Sequence, residues 1–365
     1  MRSKSWHLGV CTSGGDCPGL NAVIRAIVKH AVGRYGLRVT GIRNGLSGLM
    51  DSKLATVPLN VADVHDLCSV GGTILGTSNR GSPFRKKEES ARALKLAKSG
   101  WKKIGLDGLI VVGGDGSHLI ARHLYEHGLP MIGIPKTIDN DVWGSDRSIG
   151  FSSAVDVAVD AAQRLKSSAD AHNRIMVLEV MGRHAGHIAL ESGISAGANA
   201  ILIPEIPFDY DILATHIRKR TKLGRSSYVI VAAEGAYPLG GKPLWKQAPS
   251  GAHLLGGIGE HVGRELNQRT GIDTRVTVLG HIQRGGSPNP TDRLLSAKFG
   301  TKAVDLAWAQ GWGVMLGISK GEITQIPYSQ IQDLRQLVDA HGETVGIAEA
   351  LGTTLGRRAP YKGLI

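Results

Sequence analysis

The chain has 365 residues, long enough for two domains of roughly 150 residues each, and its 42% hydrophobic and 20% charged content is that of a globular protein. Its 50 glycines, near twice the usual ~7%, follow no G-X-Y period, which excludes collagen, and no apolar run reaches the ~18 residues of a membrane-spanning helix. Against 31 acidic residues stand 43 basic ones, a net charge of +12 carried in short runs with few aromatics, which favours small anionic ligands over nucleic acid or a membrane surface.

Leu8–Cys11 reads as a short buried strand that runs into the turn Thr12-Ser13-Gly14-Gly15-Asp16. A helix follows, with apolar residues at Leu20, Ile24, Ile27, Val28 and Ala31, a period near 3.6. Leu109–Val112 is the next strand, followed by Gly113-Gly114-Asp115-Gly116-Ser117 and a helix expected over His118–His127. Met131–Ile134 is a third strand, ended by Pro135. Further strands are expected at Ile175–Val180, Ala200–Ile203, Tyr228–Ala233 and Val276–Leu279. Helices are expected at Ser153–Ser168, Ala185–Glu191, Ile212–Lys222, Ile258–Gln268 and Asp292–Ala309. Continuous apolar strands alternating with amphipathic helices predict parallel sheets covered on both faces, an α/β fold. Tyr237–Gly257, rich in Gly and Pro, reads as a surface excursion, and Arg357–Ile365 as a loose tail. The opening residues Met1–Trp6 carry no apolar h-region, so no signal peptide is expected, and Cys11, Cys17 and Cys68 fit neither a disulfide framework nor a zinc site. A reducing, cytoplasmic setting is the natural expectation.

Ligands of such sheets bind where strands end and helices begin, and the glycine turns sit there. In Gly113–Ser117 the glycines admit backbone N–H groups to a polyphosphate, the helix N-terminus adds positive charge, and Asp115 is placed to hold Mg²⁺ beside the phosphates. Thr12–Gly19 is a second turn of the same kind, and a packing turn would look similar. In Lys136-Thr137-Ile138-Asp139-Asn140-Asp141, two carboxylates at i and i+2 suit a general base and its orienting partner, although Asp and Asn also suit a turn or cap. Met181-Gly182-Arg183 and Gly280–Gly286 each follow a strand, with arginines Arg183 and Arg284 and with His281 fit for phosphate oxygens. Arg174 and Arg275 open strands at the opposite end, which points to structural ion pairs or to a site completed by another subunit.

Together and in order, TSGGDCPGLNAVIR, GGTILGTSNR, GGDGS, PKTIDND, VMGRHAG, EG and TVLGHIQRGGSP resemble the phosphofructokinase family, the 6-phosphofructokinases of glycolysis, from about residue 7 to 310. The resemblance implies two doubly wound three-layer α/β/α domains with the active site in the cleft between them. The expected division is 1–150 plus 284–335 for nucleotide and 151–283 plus 336–365 for fructose 6-phosphate. It implies transfer of the γ-phosphoryl of ATP to the 1-hydroxyl of fructose 6-phosphate, with Mg²⁺ as cofactor, in a cytoplasmic homotetramer or homodimer. By the same resemblance Asp139 is the base, Thr137 and Asp141 shape its site, and Arg183 stabilises the transferring group. Gly15, Arg80, Gly114, Asp115, Gly116 and Ser117 would bind ATP, with Asp115 on the metal. Thr137, Ile138, Asp139, Met181, Gly182, Arg183, Glu234, His281 and Arg284 would bind the sugar phosphate, joined by Arg174 and Arg275 of a neighbouring subunit. The arginine usual after GGT-x-LG-x-x falls on Asn79 here, with Arg80 following.

Two positions bear on the donor. Lys136 resembles the pyrophosphate-using branch, whereas Gly116 resembles the ATP-using one, since a carboxylate there would crowd and repel an α-phosphate. ATP is the expected donor and pyrophosphate the alternative. A catalytically silent phosphosugar or nucleotide sensor is a third reading, opposed by the presence of Asp139, Asp141, Asp115 and Arg183 together. Arg25 fits the family's effector site, but Lys29, Lys53 and Lys166 stand where arginines are usual, which implies altered effector control.

Overall fold

The structure, a computed structural model, describes residues 6–78, 82–85, 87–247 and 253–358. The chain divides into two units, Met1–Ser153 with Arg284–Gln336, and Ala154–Gln283 with Leu337–Ile365.

In chain order the first unit contains β1 (His7–Thr12), α1 (Leu20–Tyr35), β2 (Arg38–Ile42), α2 (Gly45–Leu49), β3 (Thr56–Leu59), α3 (Lys87–Ile104), β4 (Gly108–Gly113), α4 (Asp115–Glu126) and β5 (Met131–Pro135). Next come α5 (Phe151–His172), β6 (Ile175–Val180), α6 (His187–Ala196), β7 (Ala200–Leu202), α7 (Tyr210–Lys222), β8 (Tyr228–Ala233), β9 (Trp245–Gln247), β10 (His253–Leu255), α8 (Ile258–Thr270) and β11 (Thr274–Val278). The chain then forms α9 (Pro290–Trp308), β12 (Val314–Ser319), β13 (Glu322–Pro327) and α10 (Glu343–Ala350).

Among the described residues the first unit holds a seven-stranded sheet in the order β13-β12-β5-β4-β1-β2-β3. Its centre is parallel, and the two outermost pairings, β12 with β13 and β2 with β3, are antiparallel. Leu109 and Val111 of β4 face a core shared with Leu46, Ala97, Ile120 and Leu124 of α2, α3 and α4. On the other face α1 packs against α9 so closely that a Cβ on Gly300 would meet the Cβ of Ala26 at 2.7 Å. The expected apolar stripe of α1 is real: Leu20, Ile24, Ile27, Val28 and Ala31 are all fully buried. Each of the larger four contributes about 1.5–3 kcal/mol of burial free energy.

The second unit holds a parallel sheet in the order β11-β6-β8-β7. Val177, Ile230 and Leu202 pack with Leu213 and Ile217 of α7 and Val262 and Leu266 of α8. Met176 and Val229 face Ala169 of α5 on the opposite side, and α6 packs against β7 and β8. Both units are therefore three-layered, with helices on each face of a mostly parallel sheet.

Several boundaries differ from the sequence expectation. The helix expected from His118 starts at Asp115, because the turn before it is extended only as far as Gly114. The expected Ala185–Glu191 helix is α6, displaced toward the C-terminus: Ala185 closes a turn onto the Gly182 carbonyl, and the helix continues to a left-handed cap at Gly197. The last expected strand lies earlier, as β11, in register with β6 from Thr274 opposite Ile175. The Tyr237–Gly257 excursion carries the antiparallel pair β9 and β10, with residues 248–252 outside the described set. Most of the Arg357–Ile365 tail is also outside it. The described cysteines form no disulfide, and burial pushes the Cys11 and Cys17 thiols up to about 12. Among the described residues no helix is long and apolar enough to cross a membrane.

Candidate active site

In the first unit β1 and β4 lie side by side, yet the chain leaves β1 toward β2 and leaves β4 toward β5, in the opposite direction. This reversal creates a crevice beyond the carboxyl ends of the two strands, the usual ligand position in such sheets. The three turns singled out above leave the adjacent strands β1, β4 and β5 at that edge.

Backbone bonds hold the turns in line. Ser13 N donates to Val112 O at 2.9 Å, and Lys136 N donates to Gly113 O at 2.9 Å. Gly113 is required by close approach, since a Cβ there would sit 2.4 Å from the Ser117 Cβ. Gly116, in the first turn of α4, has no atom within 4 Å of where a Cβ would stand. A side chain on Gly116 would therefore meet open space at the start of α4, the end of the helix that carries the positive pole of its dipole. Ser117 is buried, its amide bonded to Gly114 O at 3.0 Å.

Lys136 is 2% exposed, and its ammonium donates to the Gly15 carbonyl of the first turn. Burial lowers its pKa. Arg284 donates from NH1 to Asp16 O at 3.1 Å, so its guanidinium lies on the same turn. A Cβ on Gly15 would meet that NH1 at 2.9 Å. Arg80 lies outside the described residues.

The third turn is built to present carboxylates. Thr137 N donates to Ile149 O at 3.2 Å, Thr137 Oγ1 accepts from Asp139 N at 3.1 Å, and Asn140, at φ 53°, accepts from Ser148 N and donates to Asp146 O. Ile138, Asp139 and Asp141 are all buried. Burial pushes the Asp141 carboxyl well above the usual carboxylate range, the negative charges of Asp139 and Asp115 push it further, and Arg335 opposes them. Arg335 Nε lies 3.8 Å from Asp115 Oδ2 and 3.9 Å from Asp141 Oδ2. No motif marked Arg335, which the chain brings to this turn after β13, bridging to Val142.

Mg²⁺ characteristically takes one or two carboxylates plus substrate phosphates and keeps several waters. The donor set fits that habit. Asp115 stands at the edge of the open space over Gly116, within the field of two more carboxylates that a cation would stabilise. The described residues hold no group of three His, Cys, Asp or Glu side chains able to cage an ion alone, so a metal on Asp115 would complete its coordination with waters or substrate phosphates.

In the second unit the turn after β6 depends on two side chains. Gln283, fully buried, accepts from Met181 N at 3.0 Å, and Glu234 at the end of β8 accepts from Arg183 N at 3.0 Å. Gly182 has φ 144° and Arg183 φ 57°, a pair of left-handed residues that these amide bonds hold in place. Sequence reading found Glu234 but not Gln283, whose role depends on β11 lying next to β6. His281, in the single-turn helix Gly280–Arg284, is exposed. Arg174 and Arg275 meet on one carboxylate: Arg174 Nε donates to Asp273 Oδ2 at 2.7 Å, and Arg275 NH1 donates to Asp273 Oδ1. They lie at the N-terminal ends of β6 and β11, and Met181–Arg183 at the C-terminal end of β6. Arg25 donates from Nε to His65 O at 3.1 Å.

The sequence matches the phosphofructokinase family over residues 7–307. It is 46% identical over 363 residues to an ATP-dependent 6-phosphofructokinase of Chloroflexus aggregans, covering 98% of this chain and 99% of that one. It is 41% identical to a pyrophosphate–fructose 6-phosphate 1-phosphotransferase of Streptomyces coelicolor, covering 93% of this chain and 98% of that one. Phosphofructokinase from Saccharomyces cerevisiae superposes with a TM-score of 0.76 at 31% identity, covering 89% of this chain but only 45% of the longer yeast chain. A match that begins with β1, runs through every strand-end turn described above and ends within α9 shows that the chain belongs to the phosphofructokinase family.

Proposed function

We propose that this protein is an ATP-dependent 6-phosphofructokinase that converts fructose 6-phosphate and ATP to fructose 1,6-bisphosphate and ADP. The observation that carries this reading is the open space over Gly116 beside Asp115, at the start of the helix after β4, with Asp139 and Asp141 in the turn after the adjacent strand β5. The first unit takes the nucleotide on Gly15 and Gly114–Ser117, and the second takes the sugar phosphate on Met181, Gly182, Arg183, Glu234 and His281, with Arg284 adding a cation to the phosphates.

Asp139 accepts the proton of the 1-hydroxyl as its oxygen attacks the γ-phosphorus. The new bond joins O1 to that phosphorus, and the bond to the β-phosphate bridging oxygen breaks, releasing ADP. Thr137 bonds the Asp139 amide and so orients the loop, while Asp141 takes the second acidic place. Arg183 neutralises charge on the transferring group. Bound Mg²⁺, with Asp115 as its protein ligand, would supply further neutralisation of the polyphosphate.

Arg174 and Arg275, held as a pair on Asp273, serve a neighbouring subunit's sugar phosphate in a cytoplasmic homotetramer. Pyrophosphate is the second reading for the donor, favoured by Lys136 and by the Streptomyces coelicolor relative. Against it, the Lys136 ammonium is bonded to the Gly15 carbonyl, and Gly116 leaves room for an α-phosphate. Formation of fructose 1,6-bisphosphate by the purified protein with Mg²⁺, measured in parallel with ATP and with pyrophosphate, tests both. Product with ATP alone is expected. Product with pyrophosphate alone overturns the donor, and tight sugar-phosphate binding with neither product overturns the kinase.

A further inference from the structure

Arg335 stands outside every motif of the sequence, yet its backbone is joined to the acidic turn. It forms an antiparallel bridge with Val142, and the amide of Gln336 donates to Asp141 O at 2.9 Å. Its Nε is shielded from solvent and makes no hydrogen bond among the described residues. The nearest carboxylate oxygens, at 3.8 Å on Asp115 and 3.9 Å on Asp141, come from two different turns and lie beyond hydrogen-bond reach. The attraction is therefore electrostatic and shared. Asp115 is 24% exposed and Asp141 6%, so the field acts through a medium less screening than bulk water. The other buried cation nearby, Lys136, spends a hydrogen bond on Gly15 instead.

We propose that Arg335 is a positioning residue for phosphoryl transfer, the built-in counter-cation that draws Asp115 and Asp141 toward one point and competes with a divalent cation for Asp115. A guanidinium hydrogen-bonded to either carboxylate would be hard to displace, whereas one held at almost equal range from both can yield an oxygen to a metal and keep its hold on the other. The proposal rests on the assignment of Asp115 to Mg²⁺ made above.

The test is titration of Mn²⁺ into the nucleotide-free protein, with free Mn²⁺ read by electron paramagnetic resonance. Arg335→Gln is expected to bind Mn²⁺ roughly tenfold more tightly, because a repelling charge is gone, and Arg335→Lys to stay near wild type. In turnover, Arg335→Gln is expected to lower kcat roughly tenfold with KM for fructose 6-phosphate little changed, and lysine to recover part of the loss. Arg335→Met, which keeps the aliphatic stem, repeats both measurements if the glutamine variant does not fold. Unchanged or weaker Mn²⁺ binding without the guanidinium overturns the competition, and an unchanged kcat overturns the positioning. Asp115→Asn is the control. If it abolishes Mn²⁺ binding while Arg335→Gln changes nothing, the role of Arg335 alone fails. If it leaves binding intact, the assignment of Asp115 fails and the proposal with it.

Discussion

Asp139 and Asp141 are separated by one residue and differ in what surrounds them. Asp141 faces Arg335, and its carboxyl is pushed up by burial and by its two acidic neighbours, which is why the proposed base is Asp139. Asp139→Asn is expected to keep nucleotide and sugar-phosphate binding and to lose about 10²–10⁴ in kcat, as removal of a general base does. Near-wild-type turnover would take the base role from Asp139. At Gly116 the open space separates folding from function. Gly116→Asp is expected to leave the thermal midpoint almost unchanged and to weaken use of ATP sharply, through crowding and repulsion of the α-phosphate. An Asp variant that uses ATP as well as the parent does would show that this position does not select the donor. These positions stood out as candidates in the sequence because glycine turns and paired carboxylates are local patterns, and the family resemblance suggested their roles. Gln283 and Arg335 were not, because a glutamine or arginine acquires such a role only from the strand or turn that lands beside it.

At the scale of elements, several junctions depend on a single buried carboxylate. Asp292, in the first turn of α9, is fully buried and accepts from Gly150 N at 3.0 Å, Ser153 N at 2.8 Å and Ser153 Oγ at 2.6 Å. It thus caps the start of α5 from another helix, while Asn289 caps α9 by accepting from Asp292 N at 2.9 Å. Asp292→Ala leaves those donors unsatisfied and is expected to cost about 3 kcal/mol or more. A urea midpoint within error of the parent would exclude this capping role. Glu179 plays the same part in the second unit, accepting from Gly257 N and Gly259 N to anchor the start of α8 beside β6. The apolar stripes of α1 and the buried runs of β4 and β5 were legible as patterns, since period 3.6 and continuous burial are local signatures. Strands β3 and β13 escaped notice because they lie at the sheet edges, where exposure breaks the apolar run, and β2 and β12, though mostly buried, because Thr40 and Gly41 or Gly317 interrupt theirs.

At the scale of the whole molecule, each unit contains a histidine that resists protonation, His118 fully buried and His216 half-buried. Burial drives His118 in α4 down to about 4, with Lys136 adding to it, and drives His216 in α7 to about 4. Unfolded, both would titrate near 6.5. Because the folded values lie lower, the unfolded chain binds more protons between the two, so this contribution is full above pH 6.5 and is lost as pH falls toward 4. For His118, fully buried, the loss amounts to about 3 kcal/mol. Urea midpoints are expected to fall between pH 7.5 and pH 4.5, and His118→Gln is expected to flatten part of that slope; an equal slope in the variant would remove His118 as a source. Composition, charge and the order of the glycine and aspartate turns determined the fold class and the chemistry of the ligand, because strand and helix periods and phosphate-binding turns are written in neighbouring residues. The tertiary structure alone decided which strand ends became neighbours. Parallel pairing of β1, β4 and β5 brings three separate turns to one edge, the register of β11 on β6 brings Arg174 and Arg275 to a shared Asp273, and the path after β13 brings Arg335 to Asp115 and Asp141. Those outcomes follow from burial and backbone pairing summed over the sheet, and no local stretch of sequence contains that sum.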